Sequence, residues 1–400
     1  MVPSVAHQFA STVKQSVMAF AFNIFGVIAG TMIAYHIGLF DHAPWVIAIY
    51  PPILSARGVI AGLFCGRLSI GLHLGTVQPR FFGNTKSFYL LFQAIVVITL
   101  QTSIAMSLIA LLFGSLFLKI MVTDFFSILT VVMATMALSL IIISPITMAV
   151  SFLSFKHGLD PDIILYPVES TSSDLLITII YILIVNMFFL ADSFGRYIIA
   201  FLSLTLLLVA SYILLKNFKQ TEFIKTVKES LFTLFFVAFI VNITGTTLGK
   251  ISELIGERRE VYTVYPALID TMGDVGAVVG STATTKLALG TLKSSLSAIK
   301  NHMTEILGAW TASLIMFFMY SLLSLTINRL LTASNILRFT ALLLGSNLIA
   351  ASFIIIVSYA VAILTYQKGL DPDNFVIPIE SSLADSITTI SLLLALTLTT

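Results

Sequence analysis

Along its length the chain alternates long apolar runs with short polar breaks. A helix that crosses a bilayer needs about 20 apolar residues. Eleven runs meet that need, near residues 16–40, 45–66, 88–118, 126–155, 163–190, 197–215, 230–250, 262–285, 302–328, 337–366 and 375–398. The breaks are short, and none could house a soluble domain. The most polar one, KNFKQTEFIKTVKES from Lys216, reads as an amphipathic surface segment between two halves.

The pattern repeats. GLDPDIILYPVESTSSDLLITI from Gly158 matches GLDPDNFVIPIESSLADSITTI from Gly369 at 11 of 22 positions. Earlier in each half, YPPILSARGVIAGLFCGRLSIGLHLGT from Tyr50 aligns with YPALIDTMGDVGAVVGSTATTKLALGT from Tyr265. The offsets, 211 and 215 residues, are close, and order is kept. Two copies of a five-helix unit joined directly would be inverted, because five is odd. The extra run at 197–215 restores a common orientation, giving parallel repeats about a pseudo-twofold axis along the membrane normal. The expected fold is an all-α polytopic membrane protein. Its domains are 1–192, a connecting helix and linker at 193–229, and 230–400. The repeats would form an internal pseudo-dimer, which allows a monomer.

Composition agrees. The 400 residues are 58% hydrophobic and 10% charged, with mean hydropathy +1.03. A soluble domain carries roughly 25% charged residues. A net charge of +2 gives no reason to expect a nucleic-acid partner. One cysteine, Cys65, excludes an internal disulfide and a cysteine-cluster metal site. The six histidines show no metal-ligand spacing and are expected to pack or sit at interfaces. The N-terminus lacks the features of a cleaved signal peptide. Lys and Arg divide thirteen to seven between the two sides. That bias puts the N-terminus in the cytoplasm and the C-terminus outside, in a prokaryotic plasma membrane.

Carboxylates inside a bilayer are costly and mark pathways or partners. Asp160 and Asp371 in GLDPD suit helix capping, and Asp162 and Asp373 suit a helix N-terminus or an acidic mouth. Asp174 lies 14 residues beyond Asp160, roughly 20 Å along a helix, and Asp385 holds the same place in the second half. On a helical wheel Pro167, Ser170, Thr171, Asp174 and Thr178 form one stripe, as do Pro378, Ser381, Ser382, Asp385 and Thr389. Such stripes pack polar-to-polar or line water. Asp174 and Asp385, with Ser170 and Ser381, are therefore the leading cation ligands. Glu169 and Glu380 recur too, as a second ligand, a proton- or sodium-linked site, or neutral carboxyls. In the second helix of the second half Asp270 and Asp274 share a face among Gly273, Gly276 and Gly280. The first half has Ser55 and Val59 there, and Arg57 is placed to pair with an intramembrane carboxylate.

The GLDPD…P…S…D helix with a glycine-rich second helix resembles the membrane domain of MgtE-type magnesium channels. The tandem arrangement and GRLSIGLHLGT from Gly66 look more like solute carrier family 41. The resemblance covers nearly the whole chain. It implies a divalent-cation pathway, magnesium first, lined by the second and fifth helices of both halves. The aspartate that faces the ion path in such channels matches Asp174 and Asp385 by motif position. The chain departs from the family in two places: Gly58-Val59 and Gly273-Asp274 stand where Gly-Asn is usual, and Glu169 and Glu380 replace apolar or small residues. Both departures point toward exchange coupled to Na⁺ or H⁺. No resident cofactor is expected, since Mg²⁺ or another divalent cation is the cargo and the lipid bilayer the surroundings. Two other classes fit the sequence less well. An intramembrane aspartyl protease would use TMGD at Thr271–Asp274 but leaves the doubled fifth helix unexplained. A structural factor leaves the symmetric carboxylates unexplained.

Overall fold

The apolar runs become helices because their backbone polar groups have no water to bond and must bond within the segment. The computed structural model describes residues 5–157, 161–190, 193–256, 258–368 and 373–399; the side chains at 161–172, 373–381 and some scattered positions lie outside the description. The helices are α1 (Val5–Phe20), α2 (Ile24–Tyr35), α3 (Pro44–His73), α4 (Lys86–Phe117), α5 (Phe125–Lys156), α6 (Pro161–Phe189), α7 (Ser193–Asn217), α8 (Thr221–Ile255), α9 (Arg259–Ala288), α10 (Met303–Ile327), α11 (Ala333–Gln367) and α12 (Asp373–Thr399). A single 3₁₀ turn, Ala21–Asn23, separates α1 from α2. Residues 6–35 together form one apolar stretch.

Among the described residues, eight helices are long and apolar enough to cross a membrane. The described apolar parts of α6 and α12 are shorter, Ser173–Phe189 and Ser382–Leu398. The α9 helix carries Asp270, Asp274, Lys286 and three mid-helix glycines. It is shielded instead by protein, packing against α2, α10, α11 and α12, with 261–269 buried throughout. The polar segment expected between the halves is mostly helix, since α8 begins at Thr221, well before its apolar run.

The chain groups into two compact units that do not follow chain order. One comprises Met1–Tyr35 with Lys250–Thr400, the other His36–Gly249. In the first unit α2 lies along α9 and α1 along α10. In the second, α3 packs with α4, α5 and α6, and α7 covers α4 and α5. The start of α8 is held to α3 by Arg67, whose Nη1 donates to Thr226 Oγ1 at 2.7 Å. Farther along α8, a Cβ on Gly245 would lie 1.8 Å from the Ala48 carbonyl oxygen, so only glycine lets these backbones approach so closely. The opening helix of each repeat therefore packs with the later helices of the other.

The repeats also end their helices alike. After α3 and α9 the Leu-Gly-Thr triplets place Gly75 at φ +71° and Gly290 at φ +69°, the left-handed stop that glycine accommodates. After α4 and α10 the same conformation falls on Lys119 and Arg329, at +57° and +58°. On α4 four buried hydroxyls are satisfied within the helix itself: Thr99, Thr102, Ser103 and Ser107 each donate to the carbonyl four residues earlier.

Candidate functional site

Asp174 on α6 and Asp385 on α12 are both half-buried, and each sits in the same local frame. In one unit Thr178 Oγ1 donates to the Asp174 carbonyl at 2.7 Å and meets the Tyr50 hydroxyl of α3 at 2.8 Å. In the other, Thr389 Oγ1 donates to the Asp385 carbonyl at 2.6 Å and meets the Tyr265 hydroxyl of α9 at 2.9 Å. The tyrosines open the Tyr-Pro motif of each second helix. A buried hydroxyl pair so placed fixes the rotation of the aspartate-bearing helix against the second helix. A further bond in the first repeat, from the Tyr181 hydroxyl to the Val46 carbonyl, secures the same pair of helices. Thr178 and Thr389, expected on the aspartate stripe, thus end it by packing polar-to-polar.

The second helices leave room at their paired glycines. A Cβ on Gly58 would meet nothing within 4 Å, and one on Gly273 would meet only the Ala384 Cβ, at 4.0 Å. Arg57 is buried on α3, with Nη2 3.4 Å from Ser144 Oγ of α5. Glu169, Ser170, Glu380 and Ser381 lie among the side chains outside the description, as do Pro167, Thr171 and Pro378. Asp160 and Asp371 fall outside the described residues altogether. Among the described residues, no three His, Cys, Asp or Glu side chains converge on a point.

The second helix of the second repeat holds a network of its own. Asn23, in the 3₁₀ break, donates through Nδ2 to Asp274 Oδ2 at 2.7 Å and to Thr271 Oγ1 at 3.2 Å. Thr271 meets the Tyr320 hydroxyl at 3.1 Å, and that hydroxyl donates to the Phe20 carbonyl at 3.2 Å. Asp270, one turn before Asp274, is half-buried. Asn23 was not legible as a partner of Asp274 because 251 residues separate them. The signal that could have exposed it is a third repeat, Asn-Ile-x-Gly-x-x-x-Gly, at Asn23–Gly30 and again at Asn242–Gly249. In the first repeat, positions equivalent to Thr271 and Asp274 are Ala56 and Val59, and Asn242 turns back to its own helix, donating to the Ala238 carbonyl at 2.7 Å.

A cluster around His302 also escaped the sequence reading. The ring is fully buried, 3.0 Å from the Val279 carbonyl oxygen and 3.2 Å from Thr282 Oγ1 through Nε2. Its Nδ1 lies 3.5 Å from Glu305 Oε2, which is also paired with Lys286 at 2.8 Å.

The repeated frame around Asp174 and Asp385 coincides with what comparison finds. The family model of MgtE, described as a divalent cation transporter, matches residues 50–184 and again 265–395. The chain belongs to the MgtE family. Each match begins at the tyrosine of the Tyr-Pro motif and runs past the aspartate, so both frames fall inside MgtE domains, arranged in tandem. No curated protein and no solved structure matched the chain. Membership in MgtE, with the apolar helices, makes this an integral membrane protein whose cargo is a divalent cation.

Proposed function

We propose that the chain moves Mg²⁺ along a route lined by α3 and α6 of one repeat and α9 and α12 of the other, with Asp174 and Asp385 as its principal ligands. The recurrence of one Tyr–Thr–aspartate frame in both repeats carries this reading. It rotates each aspartate helix in the same way, as a pair of equivalent ligands would require. Eleven spans, with α7 restoring the orientation, would make the repeats parallel and let the two aspartates meet on a common axis. Magnesium keeps several of its waters and is usually held by one or two carboxylates. Two aspartates, with uncrowded backbone at Gly58 and Gly273 of the second helices, suit such a hydrated ion. Ser170 and Ser381 would add hydroxyl ligands, and Asp270 a further carboxylate.

The test is Mg²⁺ flux in liposomes. The Asp174→Ala/Asp385→Ala double variant should lose it, and undiminished flux would sink the ligand assignment. A second reading, exchange coupled to Na⁺ or H⁺ through Glu169 and Glu380, is favoured by their recurrence at equal positions. Imposing a Na⁺ or pH gradient in the same assay decides it: coupled exchange responds to one of them, whereas a channel follows the Mg²⁺ gradient and membrane potential alone.

A further inference from the structure

The two repeats differ at one corner, where the end of the second helix meets the start of the third. In the second repeat that corner is filled by buried His302 and the Lys286–Glu305 ion pair. In the first repeat the equivalent corner is open. A cavity of about 490 Å³ lies between α3, α4 and the start of α8. Its polar lining includes Arg67, Ser87 and Thr226, and its apolar lining includes Ile70, Leu90 and Phe223. Arg67 is half-buried, and its bond to Thr226 at 2.7 Å holds the guanidinium at the cavity wall.

The surroundings say what would fill it. Ile70 is 58% exposed and Leu74 72%, so the α3 side of the corner looks outward through apolar side chains, as a lipid-facing surface does. The same end of the unit carries a basic collar. Lys86 bonds Gln220 at 3.3 Å, and Lys156, Lys216, Lys219 and Lys228 are exposed at the ends of α5, α7 and α8 that gather there. By sequence, the stretch from Lys216 to Glu229 holds four lysines against two glutamates. Basic pockets between membrane helices suit anionic lipid headgroups. An arginine presents its donors in a fork that matches phosphate oxygens.

We propose that this corner binds an anionic phospholipid, its phosphate on Arg67, Ser87 and Thr226 and an acyl chain along Ile70, Leu90 and Phe223. The occupant is distinct from the transported cation, and the site lies wholly within one compact unit. Phosphate could also arrive free in solution, so the experiment separates the two sources. Purified full-length protein is reconstituted in phosphatidylcholine alone, in phosphatidylcholine with phosphatidylglycerol, and in phosphatidylcholine with millimolar inorganic phosphate. Thermal unfolding is followed in each.

Phosphatidylglycerol should raise the wild-type unfolding temperature by several degrees while inorganic phosphate leaves it unchanged. Arg67→Gln should remove that increment, Arg67→Lys should keep part of it, and Arg80→Gln, on an exposed loop at the same end, should keep all of it. Should Arg67→Gln fail to fold, Leu90→Trp supplies the test by filling the cavity without touching charge. It should fold in phosphatidylcholine and gain nothing from phosphatidylglycerol. A wild-type protein indifferent to phosphatidylglycerol, or an increment that survives both Arg67→Gln and Leu90→Trp, overturns the proposal. Equal protection by inorganic phosphate overturns the lipid assignment in favour of a soluble anion.

Discussion

Around their aspartates the two repeats are nearly the same object, and one helix away they are not. Tyr50–Thr178–Asp174 and Tyr265–Thr389–Asp385 agree to 0.1 Å in both bonds. Next to them, Asn23 reaches across to Asp274 and Thr271, whose counterparts in the first repeat are Val59 and Ala56, whereas Asn242 bonds only backward to Ala238 among the contacts described. The fold is thus built once with a carboxylate at this position and once with a valine. A carboxylate there is not a requirement of packing. Since burying one inside a membrane is costly, the second repeat carries at Asp274 a cost that the first avoids with Val59. The shared frame, by contrast, is what both copies need in order to present an aspartate.

The comparison can be broken hardest at the close helix contacts. Gly245→Leu should give little or no folded protein, because a side chain there drives into the backbone at Ala48. Overpacking ordinarily costs about 1–3 kcal/mol, and backbone leaves nothing that can rotate away. Gly58→Ala is the control, with nothing within 4 Å. It should be tolerated, with a gain of about 0.5–1 kcal/mol from removing a mid-helix glycine. Thermal unfolding in detergent reads both.

The asymmetric network is the next lever. Asn23→Ala leaves the Asp274 carboxylate without that donor and should cost about 1–3 kcal/mol. Asn242→Ala should cost less, since it strands no carboxylate. Adding Asp274→Val to Asn23→Ala, which copies the first repeat, should restore most of the loss. If the double variant is no more stable than Asn23→Ala alone, the pair is not coupled as described. The smallest effects belong to the shared frame. Tyr50→Phe and Tyr265→Phe should each cost about 0.6 kcal/mol, typical of one hydrogen bond between membrane helices. Both should slow Mg²⁺ flux to a similar degree. Unequal slowing would show that the two aspartates are not used alike.

Much of this architecture was written openly in the chain. The apolar runs and the doubled GLDPD helix disclose the repeat, and the Leu-Gly-Thr triplets disclose where two helices stop. The rest was hidden for identifiable reasons. The linker from Lys216 looks polar because only one side of the start of α8 is buried, and composition averages over sides. Asp274 announced itself as a costly residue, but its partner is set by tertiary packing across 251 residues. His302 gave no sign because its neighbours come from α9, α10 and α11, and no local spacing joins them.

The exchange of opening helices has a consequence for how the protein is made. α2 is synthesised first but packs on Tyr262–Ala267, more than two hundred residues later. At about 5–20 residues per second, ribosomes take on the order of ten seconds or more to deliver that partner. Until then α1–α2 sits in the bilayer with Gly26 and Gly30 uncovered, open to the wrong neighbour. A chain cut in the connection between α6 and α7 should therefore yield two fragments that are each incomplete, and that recover a transporter only when produced in the same membrane.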